Sequence, residues 1–318
     1  MTNHIFINIS ILLLVYNMDV PFDVLKLIAS YITKHKMKLL DWIDMNNIKW
    51  NFLSRNLNAI DLLEANPDKI YWSYISRNQK AIHLLENKPD EILDWCYLSG
   101  NPNAINILED RINKINNNEF VEKDDDNKID WSWLSGNSNA IHLLENNLDK
   151  INWIWLSANP NAIHLLENNL DKINWEHLSK NPNAIHLLEA NQDKINWVYL
   201  SLNPNAIHLL EANFDKIYWY NLSINPNAIH LLEANQDKIN WTPLSSNKNA
   251  IHLLEANYDK IHWLFLSGNP NAIHLLEAKQ DKIHWTFLSE NPIIFETDTK
   301  LINENILNKA ILLDKIIN

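Results

Sequence analysis

The chain is 318 residues long and carries 27 Lys and Arg against 39 Asp and Glu, a net charge of −12. That is the wrong balance for a nucleic-acid partner, because proteins that track a phosphate backbone neutralise it with clustered cations. A single cysteine, Cys96, excludes an intrachain disulfide and fits a reducing, cytoplasmic compartment.

Residues 5–16, IFINISILLLVY, are apolar. They fall short of the roughly 20 residues that a helix needs to span a bilayer, so no membrane association is expected. No Lys or Arg precedes them and no clear small-residue cleavage site comes after, which argues against a signal peptide. Met18 opens a more ordinary N-terminus. Residues 1–17 therefore read either as sequence upstream of the true start or as an apolar element packed on the first repeat. Residues 18–49 read as an N-terminal cap, of which KLLDWIDMNNIKW (38–50) looks like a degraded half repeat.

From Trp50 the chain repeats. Trp50 and Trp72 are 22 apart, Trp72 and Trp95 are 23 apart, and Trp131, Trp153, Trp175, Trp197, Trp219, Trp241, Trp263 and Trp285 succeed one another at 22. The gap of 36 between Trp95 and Trp131 is one repeat plus an insertion of 14 near residues 116–128. The frame reads I-x-W-x-x-L-S-x-N-P-N-A-I-H-L-L-E-x-N-x-D-K. A strict period of this size means stacked identical elements, a solenoid with one continuous core. The array spans 50–292, and residues 293–318 read as a C-terminal cap, since the ends of a solenoid otherwise expose core to water.

Each repeat reads as two short helices. Asn159 before Pro160 looks like a helix start, with Asn as cap and Pro at the first position. Ala162, Ile163, Leu165 and Leu166 then share one face, opposite His164 and Glu167. The second helix begins at Trp175 with Asn174 as cap, and Trp175 and Leu178 share a face. The expectation is an all-α, right-handed solenoid. The alternative is a leucine-rich repeat, whose period can also be 22; against it, Glu176, Thr242 and Thr286 stand where its L-x-L strand needs an apolar residue. With only 3 glycines, a β-helix lacks its tight turns.

Few residues suggest chemistry. His83, His142, His164, His186, His208, His230, His252 and His274 share one phase, but stacked helices lie about 8–10 Å apart, too far for two successive histidines to hold one zinc at about 2 Å each. They read as an exposed position copied by duplication. Each stands three residues before a Glu, as in His186 and Glu189, without the H-E-x-x-H order of a zinc protease. The Trp series reads as core packing in preference to base stacking. Asp124, Asp125 and Asp126 lack the Gly and Glu of a calcium loop, having Ile129 and Ser135 in those places. No phosphate-binding loop, nucleophile elbow or Cys/His cluster occurs. No catalytic, cofactor or metal residue is expected.

What varies is more informative. The first, second and fifth residues after each Trp change freely, as in Val198, Tyr199 and Leu202 against Tyr220, Asn221 and Ile224, and so does the residue before each Asp-Lys. A fixed frame with variable surface positions is how repeat binders diversify; neutral drift at exposed sites is the plain alternative. Tyr199, Phe214, Tyr220, Tyr258 and Phe265 are the candidate partner-binding residues, expected along one side of the array, because large exposed aromatics are unusual at purely solvated sites.

The motifs N-P-N-A-I-H-L-L-E and W-x-x-L-S resemble the short Asn-rich repeats of giant DNA virus proteins, which implies a viral chain in the cytoplasm of a host cell. VPFDVLKLIASYI (20–32) is faintly similar to the start of an F-box, with Val20 in place of its Leu; that resemblance implies a ubiquitin-ligase substrate adaptor. The functional expectation is a non-catalytic protein-interaction scaffold with a protein partner, the adaptor being the alternative and repeat-coded nucleic-acid binding a weaker one.

Overall fold

A computed structural model describes residues 36–86, 88–119, 128–301 and 304. The apolar segment 5–16, the F-box-like stretch 20–32 and Asp124–Asp126 lie outside the described residues. The chain forms two compact bodies, one of residues 44–293 and one of the two terminal segments, 1–43 with 294–318.

The larger body is an all-α solenoid of two-helix repeats. A typical repeat has a Trp helix (Trp153–Ser157), a turn, a second helix (Ile163–Glu167) and a 3-10 turn (Leu170–Lys172). Helices this short are unstable alone, so packing must hold them. Asn174 caps its Trp helix by accepting from the His177 amide, whereas Tyr218, His262 and His284 occupy the same position without a side-chain cap. Leu156, Ala162, Leu165, Leu166 and Ile173 form the core of one repeat and its junction with the next.

Two local expectations are corrected. Asn159 and Pro160 do not start the second helix, which begins at Ile163 after Ala162, a position with no side-chain cap. Asn159 instead makes a tight local turn, its Oδ1 accepting from the Asn161 amide at 3.0 Å. Its Nδ2 donates to the Ser135 and Asn137 carbonyls of the preceding repeat, both at 3.0 Å. The Trp series is core only in part: Trp95 is buried, and Trp131, Trp153, Trp175, Trp197, Trp219, Trp241 and Trp263 are half-buried. The 3-10 turn places a cation over the ring, with Lys194 at 4.4 Å from Trp175 and Lys216 at 4.4 Å from Trp197. In the repeat with the insertion, the second helix runs longer (Ile105–Asn116), and Arg111, paired with Asp90, takes that place over Trp95.

The buried Asn recurs in every repeat. Asn181 donates to Ser157 O and Asn159 O at 3.0 and 2.9 Å, and Asn203 to Ser179 O and Asn181 O at 3.0 and 2.9 Å. A buried Ser runs beside it: Ser179 Oγ donates to Trp175 O and accepts from the Asn196 amide of the next repeat. Part of the Asn richness therefore has a structural use, satisfying buried carbonyls that stacking would otherwise orphan.

The same bonds join the last repeat to the first. Asn56 Nδ2 donates to Ser289 O at 3.0 Å and Asn291 O at 2.9 Å, the Lys49 amide donates to Ser289 Oγ at 2.9 Å, and Asn58 Nδ2 donates to Pro292 O at 2.9 Å. Arg55 and Glu290 add an ion pair at 3.4 Å. Because this junction repeats the others bond for bond, the body is a closed ring. Caps are a requirement of arrays with free ends; here the two end faces cover each other.

Consecutive Trp helices come within 8 Å of each other along several residues, as between the Trp131, Trp153, Trp175 and Trp197 helices and between the Trp219 and Trp241 helices, whereas no two consecutive second helices among the described residues approach as closely along their length. In a closed ring the more tightly spaced layer has the smaller radius, so the Trp helices form the inner layer and the second helices the outer.

In the smaller body the described residues form a two-stranded sheet. Strand β1 (Met37–Leu39) runs antiparallel to β2 (Phe295–Thr297), with Lys38 opposite Glu296. Lys38 ion-pairs with Glu296 at 3.0 Å and Asp41 at 3.2 Å.

Candidate interaction surface on the inner layer

At about 100° per residue, the third and fourth residues after each Trp point away from the first, second and fifth. The third and fourth are the buried Leu and Ser, Leu222 and Ser223 in one repeat. The first, second and fifth, here Tyr220, Asn221 and Ile224, face the inside of the ring. The variable positions of the Trp helices thus become its inner lining.

The second position carries a ring in most repeats. Phe52 meets Tyr74 at 5.9 Å, Tyr74 meets Tyr97 at 6.3 Å, Trp133 meets Trp155 at 5.4 Å, His177 meets Tyr199 at 5.7 Å and Phe265 meets Phe287 at 6.5 Å between centroids. Asn221 and the buried Pro243 interrupt the series. The glycines Gly100, Gly136 and Gly268 all stand at the fifth position, each against the ring of the next repeat. At Gly100 a Cβ would come within 2.8 Å of Trp133 Cε3, so that close approach requires glycine.

The first and fifth positions are four apart and share a face. In the early repeats they are polar or small: Asn51 and Arg55, Ser73 and Arg77, Cys96 and Gly100, Ser132 and Gly136. From the Trp153 repeat to the Trp219 repeat they turn apolar, with Ile154 and Ala158, Val198 and Leu202, and Tyr220 and Ile224, and polar residues return with Thr242 and Ser246 and with Thr286 and Glu290. Ile154, Val198, Tyr220 and Ile224 are 46%, 42%, 44% and 39% exposed. Glu176 and Lys180, between them, are the charged exception in this arc. Burial, then the Lys180 charge, lowers the His177 pKa, and a hydrogen bond to Glu176 raises that of Tyr199. Burial, with Asp130 alongside, pushes the Cys96 thiol up to about 11, leaving it protonated at neutral pH.

The five candidate aromatics do not share one face. Tyr220 is on the inner lining and exposed. Tyr199 and Phe265 are in the same layer but half-buried in the ring stacks. Phe214 and Tyr258 lie in the 3-10 turns at the ring's edge, each edge-on to the next Trp, Trp219 and Trp263, at 5.5 Å. Sequence reasoning passed over Ile154, Trp155 and Ile224: Ile154 and Ile224 lack the aromatic signal used to choose candidates, and the four-residue spacing of first and fifth positions could have found them, whereas Trp155 is an aromatic at a variable second position, the same signal that picked out Tyr199.

The histidines form an outer band. They do not pair within their own helix: His186 Nε2 meets Glu167 of the preceding repeat at 2.9 Å, and His208 meets Glu189 at 2.9 Å. Among the described residues no group of three or more His, Cys, Asp or Glu is placed to hold a metal, and no helix is long and apolar enough to cross a membrane. Comparison with protein-family models, with curated proteins and with solved structures finds no match.

Proposed function

We propose that the ring is a non-catalytic protein-interaction platform whose binding surface is its inner lining. The observation that carries this reading is the contrast within each Trp helix. Leu and Ser are buried at the same two positions in repeat after repeat, while the exposed first, second and fifth positions differ and several are large and apolar. Exposed apolar residues that cluster are the mark of an interaction surface. The acidic balance favours a protein partner over nucleic acid. The resemblance to giant DNA virus repeats would set the partner in the cytoplasm of an infected host cell.

The test is cross-linking capture in cells with the full chain, the double variant Val198→Asp/Ile224→Asp, and the outer-layer variant His186→Gln/His208→Gln. The platform reading expects a set of partners that the outer variant retains and the inner variant loses. Equal capture by all three chains would overturn it. Partners lost only when residues 18–45 are removed, with a cullin-linked protein among them, would favour the adaptor reading.

A further inference from the structure

We infer that the inner lining between the Trp197 and Trp219 helices binds an amphipathic α-helix presenting an uncharged apolar stripe; this rests on the platform reading above and specifies its partner. The two helices are neighbours, joined by Asn221 Nδ2 donating to Val198 O at 2.8 Å, and contribute Val198, Leu202, Tyr220 and Ile224, none of them charged; Glu176 and Lys180 separate this arc from the apolar Ile154 and Trp155 two repeats back. Charge lies elsewhere in these repeats: Glu211 and Glu233 on the outer layer, and Asp215, Lys216, Asp237 and Lys238 in the 3-10 turns. An occupant complementary to this arc is therefore apolar where it touches, as at the core of protein interfaces, where charged residues are depleted and aromatics enriched.

The polar groups of the arc indicate the occupant's backbone conformation. Binding an extended peptide takes side-chain or main-chain groups free to pair with its N–H and C=O groups. The one side-chain amide on this arc, Asn221, already donates to Val198 O, and the amides beneath it, Asn203 and Asn225, are buried and committed to carbonyls of the preceding repeats. A partner that buries itself against this surface must satisfy its own backbone, and a helix does so. Space allows it. Eleven packed helices about 9 Å apart put their axes on a circle about 30 Å across. Side chains reduce that to about 20 Å, and a helix is about 10–12 Å wide.

The probes are a panel of fluorescein-labelled, hydrocarbon-stapled 18-residue peptides with a Leu, Phe or Met stripe and Gln and Ser elsewhere, titrated into the full chain by anisotropy. Controls are the same peptides with a central Pro and with the stripe scrambled. The inference expects a striped helix to bind with micromolar affinity, at least tenfold tighter than its controls. It also expects that affinity to fall at least tenfold in Val198→Asp/Ile224→Asp and to hold in His186→Gln/His208→Gln, all with unchanged circular dichroism. Binding by the Pro or scrambled peptides as tight as by the striped helices overturns it, as do binding unaffected by the inner substitutions and no binding by any peptide of the panel. If cellular capture still depends on Val198 and Ile224 while the panel fails, the platform stands and only the helical partner falls.

Discussion

The outer and inner layers of the ring are made by the same repeat and have diverged in opposite ways. On the outer layer the later repeats are uniform, although Asp61 and Asn106 stand at the His position of two early ones: His164, His186, His208, His230, His252 and His274 each meet the preceding repeat's Glu at 2.8–2.9 Å. On the inner layer, exposed positions run from Arg77 to Ile154, Glu176 and Tyr220. The lesson is that exposure alone does not free a position to vary. On the outer layer a long side chain that bridges to the preceding repeat has a partner to keep; on the inner layer the polar first and fifth positions find different partners, as Arg55 on Glu290 and Arg77 over Trp133, and apolar ones such as Ile154, Val198 and Ile224 make no such bridge.

Beneath both layers lies the Asn and Ser frame, and the comparison breaks first there. Asn181→Asp should be the most damaging change. It removes two donors from buried carbonyls, each worth roughly 1–3 kcal/mol when orphaned, and sets a carboxylate against them; chemical denaturation should read a loss of about 4 kcal/mol or no folded protein. A smaller loss, about 3 kcal/mol, is expected for Leu210→Ala, which opens a cavity in a side chain that is 0% exposed. If either proves neutral, the frame is not what holds the repeats together.

The inner lining offers a sharper internal test. Gly100→Ala should cost about 1–2 kcal/mol because its Cβ meets the Trp133 ring. Gly268→Ala, where the nearest atoms are 3.7 Å away, should be neutral or slightly stabilising. Parallel melting curves of the two would show whether ring packing at the second position is tight everywhere or only locally. The smallest effect belongs to the outer band: the triple change His186→Gln/His208→Gln/His230→Gln removes three half-exposed pairs, each worth about 0–1 kcal/mol, and should shift the melting temperature little. A large drop would mean that the outer layer, too, is part of the frame.

The periodicity of Trp and of the Leu-Leu pair was enough to read two helices per repeat, and Asn174 shows its capping role in the sequence because cap and helix are neighbours. Asn159 misled for the opposite reason. Asn-Pro is locally a good helix start, but its amide is claimed by carbonyls about one repeat away, and tertiary pairing wins over local preference. His186 has a Glu three residues on and another nineteen residues back, and only the spacing of the outer helices decides for Glu167. The candidate aromatics were chosen for size, yet Tyr199 and Phe265 spend their faces on neighbouring rings while the smaller Val198 and Ile224 remain uncovered. Closure was illegible because it depends on the rotation from one repeat to the next, which no single repeat spells out.

That rotation makes copy number a discrete property of this chain. An open array can gain or lose a repeat by recombination and merely change length. Here each junction turns by about 33°, one eleventh of a circle, and a ten- or twelve-membered descendant must re-bend every junction or fail to meet its own end. Duplication, which built the chain, is thereby halted by geometry, and further change is channelled into substitutions within a fixed number of repeats.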